Sequence, residues 1–250
     1  MKKWNTVWIT GASSGIGYEL SKLLSNEASY VAVSARRQKK LEELDDAYNN
    51  IHSHELDVTD EEKIKFCIED IEKKSSSNID LVILNAGKST LFSVKDFDSK
   101  AIRECFEVNY MGVINCLGII IPKMIQAKAG HIAIVSSMAG YRGLPNSIAY
   151  GPSKAALINL AEVLRSELSK YGIIITIINP GFVDTEMTKV NKFPMPFIVS
   201  AKFAAVKIFD GLKKNKYEIN FPFYFSLLLK LLRIMPHRLY FWIVNKFIWK

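Results

Sequence analysis

Tyr150 and Lys154 are the two residues whose spacing most directly suggests chemistry. They stand four apart in "YGPSK", and the apolar positions that follow repeat at helical spacing as far as Gly172, which predicts a helix at about 151–171. Positions i and i+4 of a helix share a face, so the phenol and the ammonium should be neighbours. A nearby ammonium lowers a tyrosine pKa that is normally near 10, which would make Tyr150 a usable acid or base. Pro152 supports the alternative that the segment merely opens a helix.

A glycine-rich turn follows the first predicted strand. The run "TGASSGIG" places Gly11, Gly15 and Gly17 between that strand and a helix. Glycines let the backbone approach a pyrophosphate closely, and the N-terminus of the next helix supplies amide donors for it. The turn therefore indicates a nucleotide site, although a glycine-rich turn alone can also be only a turn.

Short β-rich runs alternate with longer amphipathic segments along the chain. The predicted strands cover 5–10, 29–35, 51–58, 80–85, 131–137 and 172–179, and the predicted helices cover about 15–26, 38–49, 60–75, 98–126, 151–171 and 200–213. This alternation predicts an α/β fold with one Rossmann-like, doubly wound parallel sheet and helices on both faces. We expect a domain over 1–218, with a substrate loop at about 186–200, and an amphipathic helical extension over 219–250.

Composition and charge exclude several classes of protein. Hydrophobic residues make up 49% and charged residues 23%, which argues against disorder. The net charge is +8, and residues 219–250 supply +5 of it. Residues 1–218 therefore lack the diffuse basic surface of a nucleic-acid-binding protein. The three cysteines lack C-x-x-C spacing and the four histidines do not cluster, so we expect reduced thiols and no metal. The first apolar run is too short for a signal peptide, which favours the cytoplasm.

Six segments, in order, resemble motifs of the classical short-chain dehydrogenases/reductases. They are the turn at 10–17, similar to T-G-x-x-x-G-x-G, "NAG" at 85–87, Asn109 in "FEVNYMG", Ser137 thirteen residues before the tyrosine, the pair Tyr150 and Lys154, and "PGFVDT" at 180–185. These segments cover about residues 5–190 at the family's relative distances. One departure is Leu84, where the family commonly has an asparagine.

This resemblance implies hydride transfer between a nicotinamide and a carbonyl or alcohol carbon. Tyr150 would move the proton, Lys154 would lower its pKa and hold the nicotinamide ribose, Ser137 would bind the substrate oxygen, and Asn109 would anchor a water. Ser136 is one residue too far from the tyrosine for the role of Ser137. The cofactor-binding residues that we expect are Gly11, Ser13, Ser14, Gly15, Ile16, Gly17, Arg36, Arg37, Asp57, Val58, Asn85, Ala86, Gly87, Tyr150, Lys154, Pro180, Gly181, Val183 and Thr185.

Charge after the second strand indicates which nicotinamide is used. In "SARR", Ala35 stands where NAD-preferring relatives carry an aspartate, and two arginines follow. A guanidinium can bind a 2′-phosphate that an acid would repel, so we predict that NADP(H) is preferred over NAD(H). Arg36 is the favoured phosphate ligand, whereas Arg37 either joins it or opens a solvated helix. Asp57 resembles the residue that hydrogen-bonds the adenine; its alternative role is to cap a helix that begins near Thr59.

The substrate loop at 186–200 is apolar. Its Phe193, Met195, Phe197 and Ile198 favour a small, lipophilic carbonyl or alcohol substrate. The intact catalytic set argues against the main alternative, a non-catalytic NADP(H)-sensing or scaffold protein on the same fold. Too few residues follow 185 for the substrate domain of a sugar-nucleotide epimerase.

The extension after residue 218 departs from the family. We predict that Ser226, Lys230, Arg233 and His237 share one helix face and that Leu227, Leu228, Leu231, Leu232 and Met235 form the other, followed by Tyr240, Phe241, Trp242, Phe247 and Trp249. Its uncharged runs fall short of the roughly 18 residues that a membrane span needs. A basic amphipathic segment of residues 222–250 suits the inner surface of a membrane, and the alternative is packing on the protein's own core or on a second subunit. We also expect a homo-oligomer, either a dimer or a tetramer.

Overall fold

The computed structural model describes residues 2–189, 191 and 193–248. The strands are β1 Trp4–Thr10, β2 Ala28–Ala35, β3 Ile51–Glu55, β4 Leu81–Leu84, β5 Gly130–Val135, β6 Ile173–Pro180, β7 Val183–Asp184, β8 Val199–Ser200 and β9 Glu218–Phe221. The helices are α1 Gly15–Leu24, α2 Gln38–Ala47, α3 Glu61–Ser75, α4 Ser99–Phe106, α5 Gly112–Ala127, α6 Tyr150–Leu168, α7 Ala201–Lys213, α8 Phe223–Ile234 and α9 His237–Ile243. Val190 and Lys192 of the predicted loop, and Trp249, lie outside the described residues.

Seven strands form one parallel sheet in the order β3-β2-β1-β4-β5-β6-β9. The strand order reverses between β1 and β4, and in such sheets ligands bind in the crevice at the carboxyl ends of the strands beside this point. The glycine turn follows β1, Asn85 follows β4 and Ser137 follows β5 closely, so the motifs spread along the sequence meet at one edge of the sheet.

Two hydrophobic cores cover the two faces of this sheet. Alternate strand residues enter opposite cores, as Trp8 and Val7 do in β1. The helices α1, α2 and α7 supply the core on one side, and α3, α5, α6, α8 and α9 supply the core on the other. Burial on both sides accounts for strands that read as continuous Val/Ile runs, and the predicted doubly wound fold is confirmed.

The predicted long helix at 98–126 contains a π-helical segment. Helices α4 and α5 are joined through Glu107–Met111, where the backbone widens to accommodate one extra residue per turn. By length and composition, Ser99–Ala127 is also the one helix of the described residues that could cross a membrane. Core helices pass the same test, and α5 buries Val113, Leu117 and Ile120 in the core.

The extension differs from its predicted arrangement. Helix α8 ends at Ile234, Met235 is extended, and His237 begins α9, so His237 does not share a face with Ser226. The polar residues Ser226 and Lys230 turn toward the domain, where Lys230 pairs with Glu218 of β9. Leu229, Leu232, Tyr240 and Val244 enter the core, whereas Leu227, Leu228 and Leu231 are exposed. Helix α8 is therefore apolar on both its inner and its outer side.

Candidate active site

The glycine turn is held in shape from the end of β4. Gly11 and Gly15 have φ values of 68° and 60°, which favour glycine. The Asn85 side chain donates to the carbonyls of Thr10 and Gly11 at 3.0 Å, and the Thr10 hydroxyl accepts from the Asn85 and Ala86 amides. A Cβ on Gly17 would lie 2.6 Å from the Gly11 carbonyl oxygen, so Gly17 serves packing beneath the turn and does not line the cleft.

A continuous cleft runs from this turn to Tyr150. All the expected cofactor-binding residues line it except Gly17, and they are joined by Leu56, Val108, Val135, Ser136, Met187 and Thr188, which sequence reasoning missed or set aside. Helix α1 points its N-terminus into the cleft at Gly15, where free amides and the helix dipole favour an anion. The apolar residues among them carry no motif, and only the folded structure identifies them as part of the cleft.

The two arginines after β2 differ in their surroundings. Arg37 donates to the Ser13 hydroxyl at 3.0 and 3.1 Å and to the Ser14 hydroxyl at 2.7 Å, and it pairs with Glu186 at 2.7 Å. The side chain of Arg36 is 73% exposed and lies 3.9 Å from the Asp57 carboxylate. Arg37 thus rests on the glycine turn and is not merely the solvated start of a helix.

Asp57 shapes the loop that leaves β3. Its carboxylate accepts from the Thr59 amide at 3.0 Å and from the Thr59 hydroxyl at 2.9 Å, which closes a local turn. The cap of α3 is Asp60, whose side chain accepts from the Lys63 amide, so the alternative role for Asp57 as the helix cap is wrong. Asp57 and Val58 both line the cleft.

Ser137, Tyr150 and Lys154 converge at the other end of the cleft. Ser137 follows β5, and its hydroxyl accepts from the Ala139 amide at 3.1 Å and donates to the Pro180 carbonyl at 3.5 Å. Tyr150 and Lys154 lie in the first turns of α6, and the Lys154 Nζ is 5.7 Å from the Tyr150 ring centroid. The same Nζ donates to the Val135 carbonyl at 2.9 Å, which holds the ammonium against the end of β5.

Burial controls the titration of this pair. It raises the pKa of Tyr150 to about 12, against a smaller lowering by the nearby Ser137 hydroxyl. It also lowers the pKa of Lys154 to about 8, because the charged form is desolvated. Desolvation of the phenolate thus dominates the Tyr150 pKa in this structure, and a lowering of that pKa by Lys154 stays a prediction.

Asn109 lies in the π-helical segment, fully buried beneath the site. Its Oδ1 accepts from the Lys88 amide at 2.8 Å, and its Nδ2 donates to the Lys88 carbonyl and to the Ser153 hydroxyl at 3.0 Å each. Asn109 thus ties the loop after β4 to helix α6. A Cβ on Gly87 would lie 3.2 Å from Asn109 Oδ1 and 3.5 Å from Lys154 Nζ, so both groups border the same small space.

An aromatic cluster borders the stretch at 180–185. A Cβ on Gly181 would lie 3.0 Å from the Phe225 ring, and that ring is 5.7 Å from Phe182 and 5.9 Å from Phe197, between centroids. Phe182 also contacts Phe193, at 5.9 Å. Phe225 comes from α8, so a residue of the extension lies beside the cleft, which no sequence motif predicted.

Comparison with known proteins agrees with this geometry. The family model described as short chain dehydrogenase matches residues 5–193. An uncharacterized oxidoreductase of Myxococcus xanthus is 33% identical over 95% of both chains. The chain belongs to the short-chain dehydrogenase family.

This short-chain dehydrogenase shares its fold with structures that hold either nicotinamide. A short chain dehydrogenase from Burkholderia cenocepacia, in complex with NADP, superposes with a TM-score of 0.84 at 24% identity and covers 98% of this chain and 99% of its own. A short chain dehydrogenase/reductase from Burkholderia phymatum, in complex with NAD, superposes with a TM-score of 0.82 at 19% identity, covering 91% and 92%. The protein is an NAD(P)-dependent dehydrogenase/reductase acting on a small molecule.

Proposed function

We propose that this protein is an NADPH-dependent reductase of lipophilic carbonyl compounds. The observation that carries the proposal is that Ser137, Tyr150 and Lys154 border the same cleft as the glycine turn. A nicotinamide dinucleotide fits this cleft, because its pyrophosphate meets a helix N-terminus and glycines of positive φ. Bound NADPH would supply the hydride.

The protonation states favour reduction at neutral pH. With a pKa of about 12, Tyr150 carries its proton and can donate it to the oxygen of a carbonyl being reduced. The Ser137 hydroxyl, which lines the same cleft as the phenol, would also hydrogen-bond that oxygen, so charge is stabilised where it develops. Lys154 would hold the ribose, and its ammonium would stabilise the phenolate that remains after proton transfer.

The preference for NADPH rests on the two arginines beside Ala35. Arg37 donates to the hydroxyls of Ser13 and Ser14, and Arg36, whose side chain is 73% exposed, lines the same cleft. Paired guanidinium hydrogen bonds suit a 2′-phosphate. Arg37 is therefore the principal phosphate ligand in this proposal, with Arg36 as the second.

The lipophilic substrate is supported by the aromatic cluster of Phe182, Phe193, Phe197 and Phe225. Apolar walls with a few convergent polar groups are typical of small-molecule sites. Lipophilic compounds partition into membranes, so we place the enzyme in the cytoplasm at a membrane surface.

The test is NADPH oxidation with aldehydes and ketones of rising chain length, alongside Tyr150→Phe. We expect turnover that increases with chain length and falls at least about 100-fold in the variant, because the proton donor is lost. The affinity for NADPH, followed by fluorescence, should change by about threefold or less, because the variant removes one hydroxyl and keeps the other cofactor-binding residues. Tyr171→Phe, beyond the far end of α6, is the matched control and should keep wild-type turnover. Retained activity in Tyr150→Phe would refute the assignment.

The alternative is a protein that binds NADP(H) to sense it or as a scaffold. The complete set of Asn109, Ser137, Tyr150 and Lys154 speaks against it, because a sensor does not need a proton donor. Tight NADPH binding by the wild type, without turnover of any carbonyl in the series, would favour this role.

A further inference from the structure

Helix α8 exposes an apolar outer side. Phe223, Leu227, Leu228, Leu231 and Ile234 are 67%, 46%, 50%, 50% and 79% exposed. On the inner side of the same helix, Ser226, Leu229 and Leu232 are buried. The buried residues on the inner side already pack α8 against the domain. The exposed apolar residues on the outer side are therefore not needed to attach the helix to the core.

Helix α9 repeats this arrangement. Tyr240 is buried and its hydroxyl donates to the Gly143 carbonyl, whereas Leu239, Phe241 and Trp242 are 47%, 55% and 54% exposed. Both helices pack on the same core, so their outer sides face away from the domain. We call the exposed apolar residues of α8 and α9 together the docking face.

The charge beside the docking face favours an anionic partner. Residues 219–250 contain five Lys or Arg and no Asp or Glu. Lys230 is paired with Glu218, whereas Arg233 and Arg238 are exposed among the apolar residues. Basic residues, leucines and interfacial aromatics in one segment suit an anionic lipid surface. A second copy meeting this face about a two-fold axis would instead bring Arg233 and Arg238 of both copies together.

The docking face connects with the cleft through aromatic side chains. Phe225 of α8 rests on Gly181, and it contacts Phe197, which is 58% exposed on the substrate loop. Phe182 joins Phe225 to Phe193, which is 40% exposed. An apolar molecule leaving a lipid surface beside α8 would thus meet aromatic rings as far as the nicotinamide end of the cleft.

We propose that the docking face lies in an anionic membrane surface and that the aromatic cluster receives a lipid-borne carbonyl from that surface. This inference rests on the proposed reductase function for its second half only. Membrane binding by the face can be measured without turnover.

The first experiment is co-sedimentation of the full chain with phosphatidylcholine vesicles, with and without phosphatidylglycerol. We expect salt-sensitive binding to the anionic vesicles, weakened at least tenfold by Leu228→Asp or Leu231→Asp. Phe66→Asp, which adds the same charge at a 66% exposed apolar position of α3, should bind like the wild type. Thermal unfolding of each variant establishes that it is folded.

Absence of wild-type binding to either vesicle would overturn the proposal. Equal weakening of vesicle binding by Phe66→Asp would also overturn it. A negative charge added at any exposed position would then weaken binding, whether or not it lies on the docking face. A third result would assign the docking face to contact with a second copy: the wild type forms a dimer, Leu231→Asp abolishes that dimer, and neither kind of vesicle is bound.

The second experiment tests delivery with Phe225→Ala. We expect the ratio of kcat/KM for a vesicle-borne long-chain aldehyde to that for propanal to fall at least tenfold, while vesicle binding is kept. An unchanged ratio would contradict the proposal that the aromatic cluster receives the substrate from the membrane. Failure of the wild type to reduce propanal or any longer aldehyde would refute the reductase function and leave the vesicle result standing.

Discussion

Arg37 and Glu186 illustrate what decides cofactor choice at the scale of single residues. They are 149 positions apart, yet their side chains pair at 2.7 Å beside Ser13 and Ser14. A 2′-phosphate bound there would compete with the Glu186 carboxylate for the guanidinium. The glycine turn, Tyr150 and Lys154 could be predicted because each lies in a short local motif, whereas a pair formed only by folding left no signal in the sequence.

Arg37→Ala should lower the preference for NADPH. Loss of a charged hydrogen bond of about 1.5–3 kcal/mol corresponds to an increase of about 10- to 150-fold in the KM for NADPH. The KM for NADH should change little. The measurement is kcat/KM for both cofactors, with Lys39→Ala on α2 as the matched loss of a nearby cation. A larger effect of Arg36→Ala than of Arg37→Ala would transfer the principal role to Arg36.

Deprotonation of Lys154 should lower kcat/KM for NADPH at high pH. Burial lowers its pKa to about 8, so its ammonium is present below pH 8 and is lost as the pH rises through that value. Tyr150, with a pKa of about 12, keeps its proton over the same range. We therefore expect kcat/KM for NADPH, which reports groups of the free enzyme, to fall above about pH 8. Lys154→Arg, which stays charged, should remove this decline. A flat wild-type profile up to pH 10 would contradict the assignment.

At the scale of elements, α8 shows where sequence periodicity is insufficient. Apolar residues occupy both its inner and its outer side, so the 3.6-residue pattern predicts a helix without indicating which side is buried. The contacts of Glu218 decide the orientation, because its carboxylate accepts from Tyr141 at 2.5 Å, from Asn179 at 3.0 Å and from Lys230. The π-helical segment at Asn109 was hidden for a similar reason, since one extra residue in a turn leaves an apolar pattern almost unchanged.

Two adjacent leucines of α8 test this orientation. Leu232 is 7% exposed in the core, and Leu231 is 50% exposed. We expect Leu232→Ala to lower the free energy of unfolding by about 2 kcal/mol or more, because it leaves a cavity. Leu231→Ala should change it by about 0.5 kcal/mol or less. Chemical denaturation of both variants is the measurement, and equal losses would mean that α8 does not pack as described.

At the scale of the whole molecule, the alternation of strands and helices was sufficient to predict a doubly wound sheet. The order β3-β2-β1-β4-β5-β6-β9 was not predictable in the same way, because buried Val/Ile strands are interchangeable by composition. The extension is joined to the sheet by β9 and to the core by Leu229 and Leu232. Removing residues 222–250 would therefore take away core residues together with the docking face, so point variants are the better test of membrane binding.

The contact between Gly15 and Thr185 constrains how this chain can evolve. A Cβ on Gly15 would lie 2.9 Å from the Thr185 Cγ2, so the glycine turn and the stretch at 180–185 touch without spare room. A lineage that enlarged residue 15 would have to shrink residue 185 as well as tolerate a positive φ. A larger residue at position 15 should accordingly occur only together with a smaller one at position 185, although the two lie 170 positions apart in the sequence.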